Sequence, residues 1–229
     1  ILSNCEGSIS LLKEIISIFN KHRDQKKADG AKAYLLHQFE FFGLQTPLRR
    51  SLSKAFYKSH PIKNHTELTA LIKECFAQPQ RELHYFAIEL LGFHHPLWDK
   101  KTLPLIEWMI THNSWWDSVD STNSNVICKF FLKYPEHTEA FTLKWNQATN
   151  KWLKRMSILF QLTYKNKTNT ILLANYIEHC IDEEDFFIRK AIGWALRAYA
   201  YTDPKWVIHF VNAHPNLSPL SKREALKHQ

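Results

Sequence analysis

Two adjacent indoles stand just ahead of two carboxylates in the stretch His112-Asn113-Ser114-Trp115-Trp116-Asp117-Ser118-Val119-Asp120. On a helix, Trp116 and Asp120 lie four positions apart and share one face. An indole beside a carboxylate suits something flat or cationic, because the ring face and the anion both attract positive charge. The plain alternative is a core Trp next to a solvated Asp, which composition alone favours. Farther along the chain come Arg155 and then Trp194 with Arg197, the last two three positions apart on one face. Whether these residues form one site depends on the elements that carry them.

Only 5 Gly and 9 Pro occur in 229 residues, and long runs rich in Leu, Ile, Lys, Glu and Ala favour helices over strands and turns. Ile9, Leu12, Ile15, Ile16 and Phe19 make a helical stripe over residues 8–22. A polar turn is expected from Arg23 to Gly30, followed by a helix over residues 31–42 with Gly43 as its C′ residue. Thr46 is expected to cap the next helix with Pro47 at its first position, and Arg49 and Arg50 follow within the first turns. Arginines there oppose the helix dipole; a phosphate bound at that helix start would explain them, and simple solvation is the plainer reading. In the central stretch, Asn113 or Ser114 is the expected cap, leaving Asp117 in the first turn.

From about residue 66 the chain repeats. Aligning Ala87, Ser157 and Ala191, each followed by bulky apolar residues, gives steps of about 70 and 34, and the copy missing from the first step falls near Ser121. Amphipathic segments lie between the copies at 102–111, 135–145, 168–181 and 203–213. A period of about 35 residues built from two helices is the mark of a helical solenoid of the HEAT or TPR kind. The chain is therefore expected to be all-α, one HEAT-like repeat domain over residues 1–229, forming a curved stack with a concave groove. The second helix of each pair would line that groove and carry Trp116, Asp120, Arg155, Trp194 and Arg197. Ser221 is expected to cap a short basic helix that closes the stack and carries Lys222 and Arg223.

The net charge of +8 makes a polyanion a natural partner, nucleic acid first. Four widely spaced cysteines (Cys5, Cys75, Cys128 and Cys180) form no CxxC pair, so they read as buried thiols of a reducing compartment. The histidines lack metal-ligand spacing, and the acidic run Asp182-Glu183-Glu184-Asp185 reads as a dipole partner for the helix after it. No metal or organic cofactor is expected. No apolar run is long enough for a membrane span, and the expected location is the cytoplasm, at the nucleoid. The chain starts Ile1-Leu2-Ser3 without Met.

No HExxH, Walker A, GxSxG or GxGxxG motif competes for the chemistry. An Asp aimed at a nucleic acid repels the backbone unless it meets a cation. Two cations fit: an alkylated purine, and the sugar as its glycosidic bond breaks, which resembles the oxocarbenium ion of glycoside hydrolysis. A cationic base is already a good leaving group, so no general acid is required.

At this point the chain resembles the AlkD-like alkylpurine DNA glycosylases, which are built of HEAT-like repeats. The resemblance runs from Tyr34 and Gly43-Leu44-Gln45-Thr46-Pro47-Leu48-Arg49-Arg50 through Ser114-Trp115-Trp116-Asp117-Ser118-Val119-Asp120-Ser121. It continues through Trp152-Leu153-Lys154-Arg155, Phe186 to Arg197, and Leu220-Ser221-Lys222-Arg223-Glu224-Ala225. It implies a monofunctional glycosylase that releases N3- and N7-alkylated purines from double-stranded DNA, working as a monomer and without drawing the base into a pocket. The implied catalytic residues are Asp120, Trp116, Trp194 and Arg155. The implied DNA contacts are Tyr34, Gln45, Thr46, Arg49, Arg50, Lys165, Arg197, Lys222 and Arg223. Two rivals remain open on the residues alone: a non-catalytic repeat protein that recognises bent or branched DNA, and a scaffold whose groove takes a peptide.

Overall fold

The apolar stripe at the N-terminus folds as expected: in a computed structural model, α1 (Leu2–Lys21) buries Leu12, Ile15 and Phe19 along one face. The structure describes the backbone of residues 2–227 and the side chains of residue 7 and residues 9–227, so the reading of Cys5 lies outside the described residues. After α1 come α2 (Gln25–Tyr34), α3 (Thr46–Ser59), α4 (His65–Phe76), α5 (Arg81–Phe93) and α6 (Thr102–Thr111). The second half holds α7 (Trp116–Thr122), α8 (Cys128–Lys133), α9 (Thr138–Asn146), α10 (Lys151–Leu159), α11 (Thr170–His179), α12 (Phe186–Ala200), α13 (Pro204–Ala213) and α14 (Pro219–Ala225). Among the described residues there is no strand, only an isolated bridge between Glu40 and Gln80. The chain is all-α, as an α-solenoid requires.

Its residues divide into two compact units, Ile1–Asn113 and Ser114–Gln229. In the first, α1 packs on α3 and α4, and α5 packs on both α3 and α4. The core between them is aromatic, with Phe19, Phe42, Phe56 and Phe86 in edge-to-face contact. In the second, α10 packs on α7, α9 and α12, and α12 also holds α13 and α14. Cys75, Cys128 and Cys180 are free and buried. Burial raises the Cys128 and Cys180 thiols to about 11, well out of the range of a reactive thiolate.

Several helix ends differ from the sequence expectation. The segment read as a polar turn is helix α2, because the Asp24 side chain accepts the Lys27 N–H and starts a helix there. That helix stops at Tyr34, where the expected helix over 31–42 would be under way, because Leu36 and His37 turn left-handed (φ 56° and 58°). Gly43 is not a helix C′ residue. It sits at φ 89° where the chain passes α2, and a Cβ there would lie 2.0 Å from the Asp24 carbonyl oxygen.

The Gln45 carbonyl accepts the first backbone bond of α3 (from Arg49 N–H, 3.0 Å), so Gln45, not Thr46, is the N-cap residue, and no side chain caps it. Neither Asn113 nor Ser114 caps α7; Trp115 occupies the N-cap position without a side-chain bond. Asn113 is instead left-handed (φ 49°) and its amide donates to the Phe76 carbonyl at 2.6 Å. At the far end Ser218 caps α14, accepting the Ser221 N–H at 3.0 Å. Ser221 lies inside the helix and donates to the Arg189 carbonyl of α12.

Between α7 and α8 the helix widens into one π-helical turn, Asn123–Ile127. Asn123 is buried there and its amide donates to the Leu159 carbonyl at the end of α10 (2.8 Å), tying the two helices together.

Candidate active site

The Trp116 and Asp120 side chains share one face of α7, with Asp117 in the first turn. The facing wall comes from α10 and α12. Arg155 of α10 grips Asp120 with two nitrogens, Nε to Oδ1 and Nη2 to Oδ2, both at 2.8 Å. Its third nitrogen donates to the Phe187 carbonyl in the first turn of α12 at 2.6 Å. The guanidinium also lies 5.9 Å from the centre of the Trp194 ring. Three helices thus hold the guanidinium, through Asp120 of α7, its own α10, and Phe187 and Trp194 of α12.

Burial sets the order of this pair. The Arg155 side chain is 5% exposed, whereas that of Asp120 keeps 18%. Each carboxylate oxygen has lone pairs beyond the one the guanidinium uses. The carboxylate therefore stands nearer the solvent and the guanidinium deeper.

These residues line one cleft of about 350 Å³, walled by Trp116, Asp120, Arg155, Phe186, Phe187, Lys190, Trp194, Arg197 and Glu224. The wall residue Phe187 is backed by two indoles: Trp115 meets both Phe187 and Trp152 edge to face, and Trp152 meets Phe187 at a tilt of 47°. The Asp182–Asp185 run serves the start of α12 as expected. Asp185 caps it, accepting the Phe187 and Ile188 N–H groups, and pairs with Lys151, while Glu183 pairs with Lys154. A neighbouring depression of about 570 Å³ shares Trp194 and Arg197 and adds Lys165, Tyr201 and Thr202.

The structure thus brings Trp116, Asp120, Arg155, Trp194 and Arg197 together, with Lys165 next door. Lys222 and Arg223 ride on α14; Lys222 donates to the Pro215 carbonyl and Arg223 is exposed. The remaining sequence-derived residues belong to the first unit. Tyr34, Gln45, Thr46 and Arg50 are exposed there. Arg49 differs from the solvated expectation: it is buried, forked onto Glu89 at 2.7 and 3.0 Å, and lies over the Tyr85 ring. Glu89 also holds Arg50 at 3.0 Å. That carboxylate answers the dipole objection to two arginines early in α3.

Sequence reasoning passed over Lys190 and Glu224. For Lys190 a signal existed, since Lys190, Trp194 and Arg197 recur at helical spacing on α12. Glu224 had none, because it arrives from another helix. Among the described residues no group of three or more His, Cys, Asp or Glu side chains is placed to hold a metal ion, and no helix is long and apolar enough to cross a membrane.

A sequence model of the DNA alkylation repair enzyme family matches residues 15–229, nearly the whole chain. The chain belongs to that family. Its role is accordingly in the repair of alkylated DNA, and DNA is its partner. The chain is also similar to a solved structure described as a predicted DNA alkylation repair enzyme from Enterococcus faecalis. The two share 31% sequence identity with a TM-score of 0.85, over 90% of this chain and 96% of the other. No curated protein gives a significant match.

Proposed function

We propose that this family member is a monofunctional DNA glycosylase that hydrolyses the N-glycosidic bond of cationic N3- and N7-alkylpurines in duplex DNA. The observation that carries the reading is the solvent-side Asp120 carboxylate, held by Arg155 in a cleft that also presents Trp116 and Trp194. As the bond to an alkylated purine stretches, positive charge passes from the base to the deoxyribose. A carboxylate already fixed in position stabilises that charge without reorganising. The indoles add attraction for the same cation, worth about 0.5–2 kcal/mol each.

Because Arg155 neutralises Asp120 at a distance, the stabilisation is short-ranged. It acts on a sugar that approaches the carboxylate from the cleft side, where the guanidinium lies behind. Asp120 also orients the attacking water, and the departing base needs no proton because it leaves as a neutral purine. The cleft's lysine, Lys190, is paired with Glu224 and not with Asp120, so water is the nucleophile and the product is an abasic site. Trp194, Arg197 and Lys165 contact the damaged strand, Lys222 and Arg223 the backbone nearby, and Tyr34, Gln45, Thr46 and Arg50 other parts of the duplex. Arg49 would act indirectly, through the start of α3. The protein works as a monomer in the cytoplasm, at the nucleoid.

The test is direct. Duplex DNA treated with a methylating agent is incubated with the protein, and free 7-methylguanine and 3-methyladenine are measured along with abasic sites. Release of both bases with matching abasic sites is expected. Binding without release would assign the cleft to recognition of distorted DNA without catalysis.

A further inference from the structure

Glu224 reaches the cleft from α14 and sits between two cations of α12, 3.0 Å from Lys190 Nζ and 2.7 Å from Arg197 Nη1. Lys190 and Arg197 are seven positions apart, two turns along one face, so a single carboxylate spans both. Its approach depends on Gly193, where a Cβ would fall 2.5 Å from the Glu224 Cβ and 2.9 Å from the Ser221 carbonyl oxygen. The bonds to Lys190 and Arg197 hold the Glu224 carboxyl below its ordinary value, so it is ionised at neutral pH.

This cluster differs from the ion pair in the first unit. There Glu89 also holds two arginines, but Arg49 is 5% exposed and Arg50 61%, one sealed and one in solvent, whereas Lys190 (37%) and Arg197 (22%) are both part-exposed. The two cations are open to the cleft and the anion between them is the more sheltered partner. A phosphodiester has one negative charge and two non-bridging oxygens, the same charge and the same fork that a carboxylate offers. Set in the same place, it would meet the same two donors. Across the cleft, three cations face two carboxylates, so DNA gains only one net positive charge while Glu224 holds its partners.

The geometry points to Glu224 as an internal stand-in for phosphate: it occupies the Lys190–Arg197 subsite in the free protein and is displaced when a DNA phosphodiester enters the cleft. This rests on the reading of the cleft as a DNA site. The consequence is a restrained affinity for undamaged duplex, since each entry must break two ion pairs before it makes new ones. Lys190 becomes a phosphate-binding residue in its own right.

The test is the binding of an undamaged, fluorescently labelled duplex over a range of salt concentrations, for the wild type, Glu224→Gln and Lys190→Gln. One further neutralised phosphate is worth about tenfold in affinity at 0.1 M salt and adds about 0.9 to the slope of log K against log salt. Glu224→Gln is expected to bind roughly tenfold tighter with a steeper slope, and Lys190→Gln to bind weaker with a slope shallower by about 0.9. A folded Glu224→Gln protein that binds no tighter than the wild type overturns the proposal. If that variant melts at the assay temperature, Lys190→Gln decides: unchanged affinity and slope overturn it, weaker binding with a flatter slope supports it. Failure of the wild type to bind duplex at all overturns it too. Base release is not part of the readout, so a protein that binds as described yet frees no alkylpurine would sink the glycosylase reading and leave Glu224 its role.

Discussion

Arg155 holds Asp120 through two parallel 2.8 Å bonds, and is itself anchored to the Phe187 carbonyl. The pair joins α7, α10 and α12 at the cleft. It therefore serves the fold and the proposed chemistry at once, and the two roles separate on substitution.

Asp120→Asn keeps the size and removes the charge. Release of 7-methylguanine is expected to fall by about 100- to 1,000-fold, the cost of losing a pre-placed electrostatic stabiliser. Duplex binding should persist, because phosphate contacts come from other residues. Single-turnover base release and anisotropy measured on the same preparation separate the two effects; undiminished release would remove Asp120 from the mechanism.

Arg155→Lys retains the charge but cannot fork onto a carboxylate. Asp120 would lose its fixed orientation, and misplacement of a reacting group by about 1 Å costs on the order of 100-fold in rate. The loss is expected in kcat, with KM little changed. Leaving the sheltered carboxylate and the Phe187 carbonyl short of donors should also cost roughly 1–3 kcal/mol of stability, read from urea unfolding. Equal kcat for the two proteins would show that the fork does not position Asp120.

In the first unit, buried Glu82 accepts the N–H groups of Phe42, Gly43 and Leu44 at 3.1, 2.8 and 3.1 Å. These bonds fix the segment that leads into Gln45 and Thr46. Glu82→Gln leaves fewer acceptor sites and turns two donors toward donors, so a loss of about 1–3 kcal/mol is expected. Amide exchange at residues 42–44 should quicken more than exchange in α1. Uniform quickening throughout the unit would instead point to general destabilisation.

Glu224 also makes a pH prediction. Its folded value is depressed below 4.5, by the Lys190 hydrogen bond first. A depressed carboxylate contributes stability that is present above the unfolded value and is lost as pH falls through the folded one. Wild-type Tm is therefore expected to drop below about pH 4.5 more than that of Glu224→Gln. Parallel curves for the two proteins in that range would contradict the ion pairing.

Much of this was legible in residue spacing. The apolar stripes of segments 102–111 and 203–213 predict helices, and the structure has α6 and α13 there. The four-residue step from Trp116 to Asp120, and the placement of Arg155 and Trp194 on later helices at solenoid-like spacing, are enough to bring the cleft's main residues together. What escaped depends on single atoms meeting across distance. Helix α2 is poor in apolar residues, so the Asp24 cap that starts it carried no periodic signal. Glu224 enters the cleft only because Gly193 lets α14 come close, a contact between residues 31 positions apart that no local pattern records.

The π-helical turn at Asn123–Ile127 has a consequence for register. It accommodates one residue more than an α-helical turn, and one residue is worth a rotation of about 100° around the axis. Asp120 ahead of it looks into the cleft, while Phe130 and Phe131 after it are buried. A strictly α-helical path through the same residues would have to misalign one of these two faces. The widened turn acts as a phase adjuster, letting a single continuous rod satisfy the interior at one end and the cleft at the other.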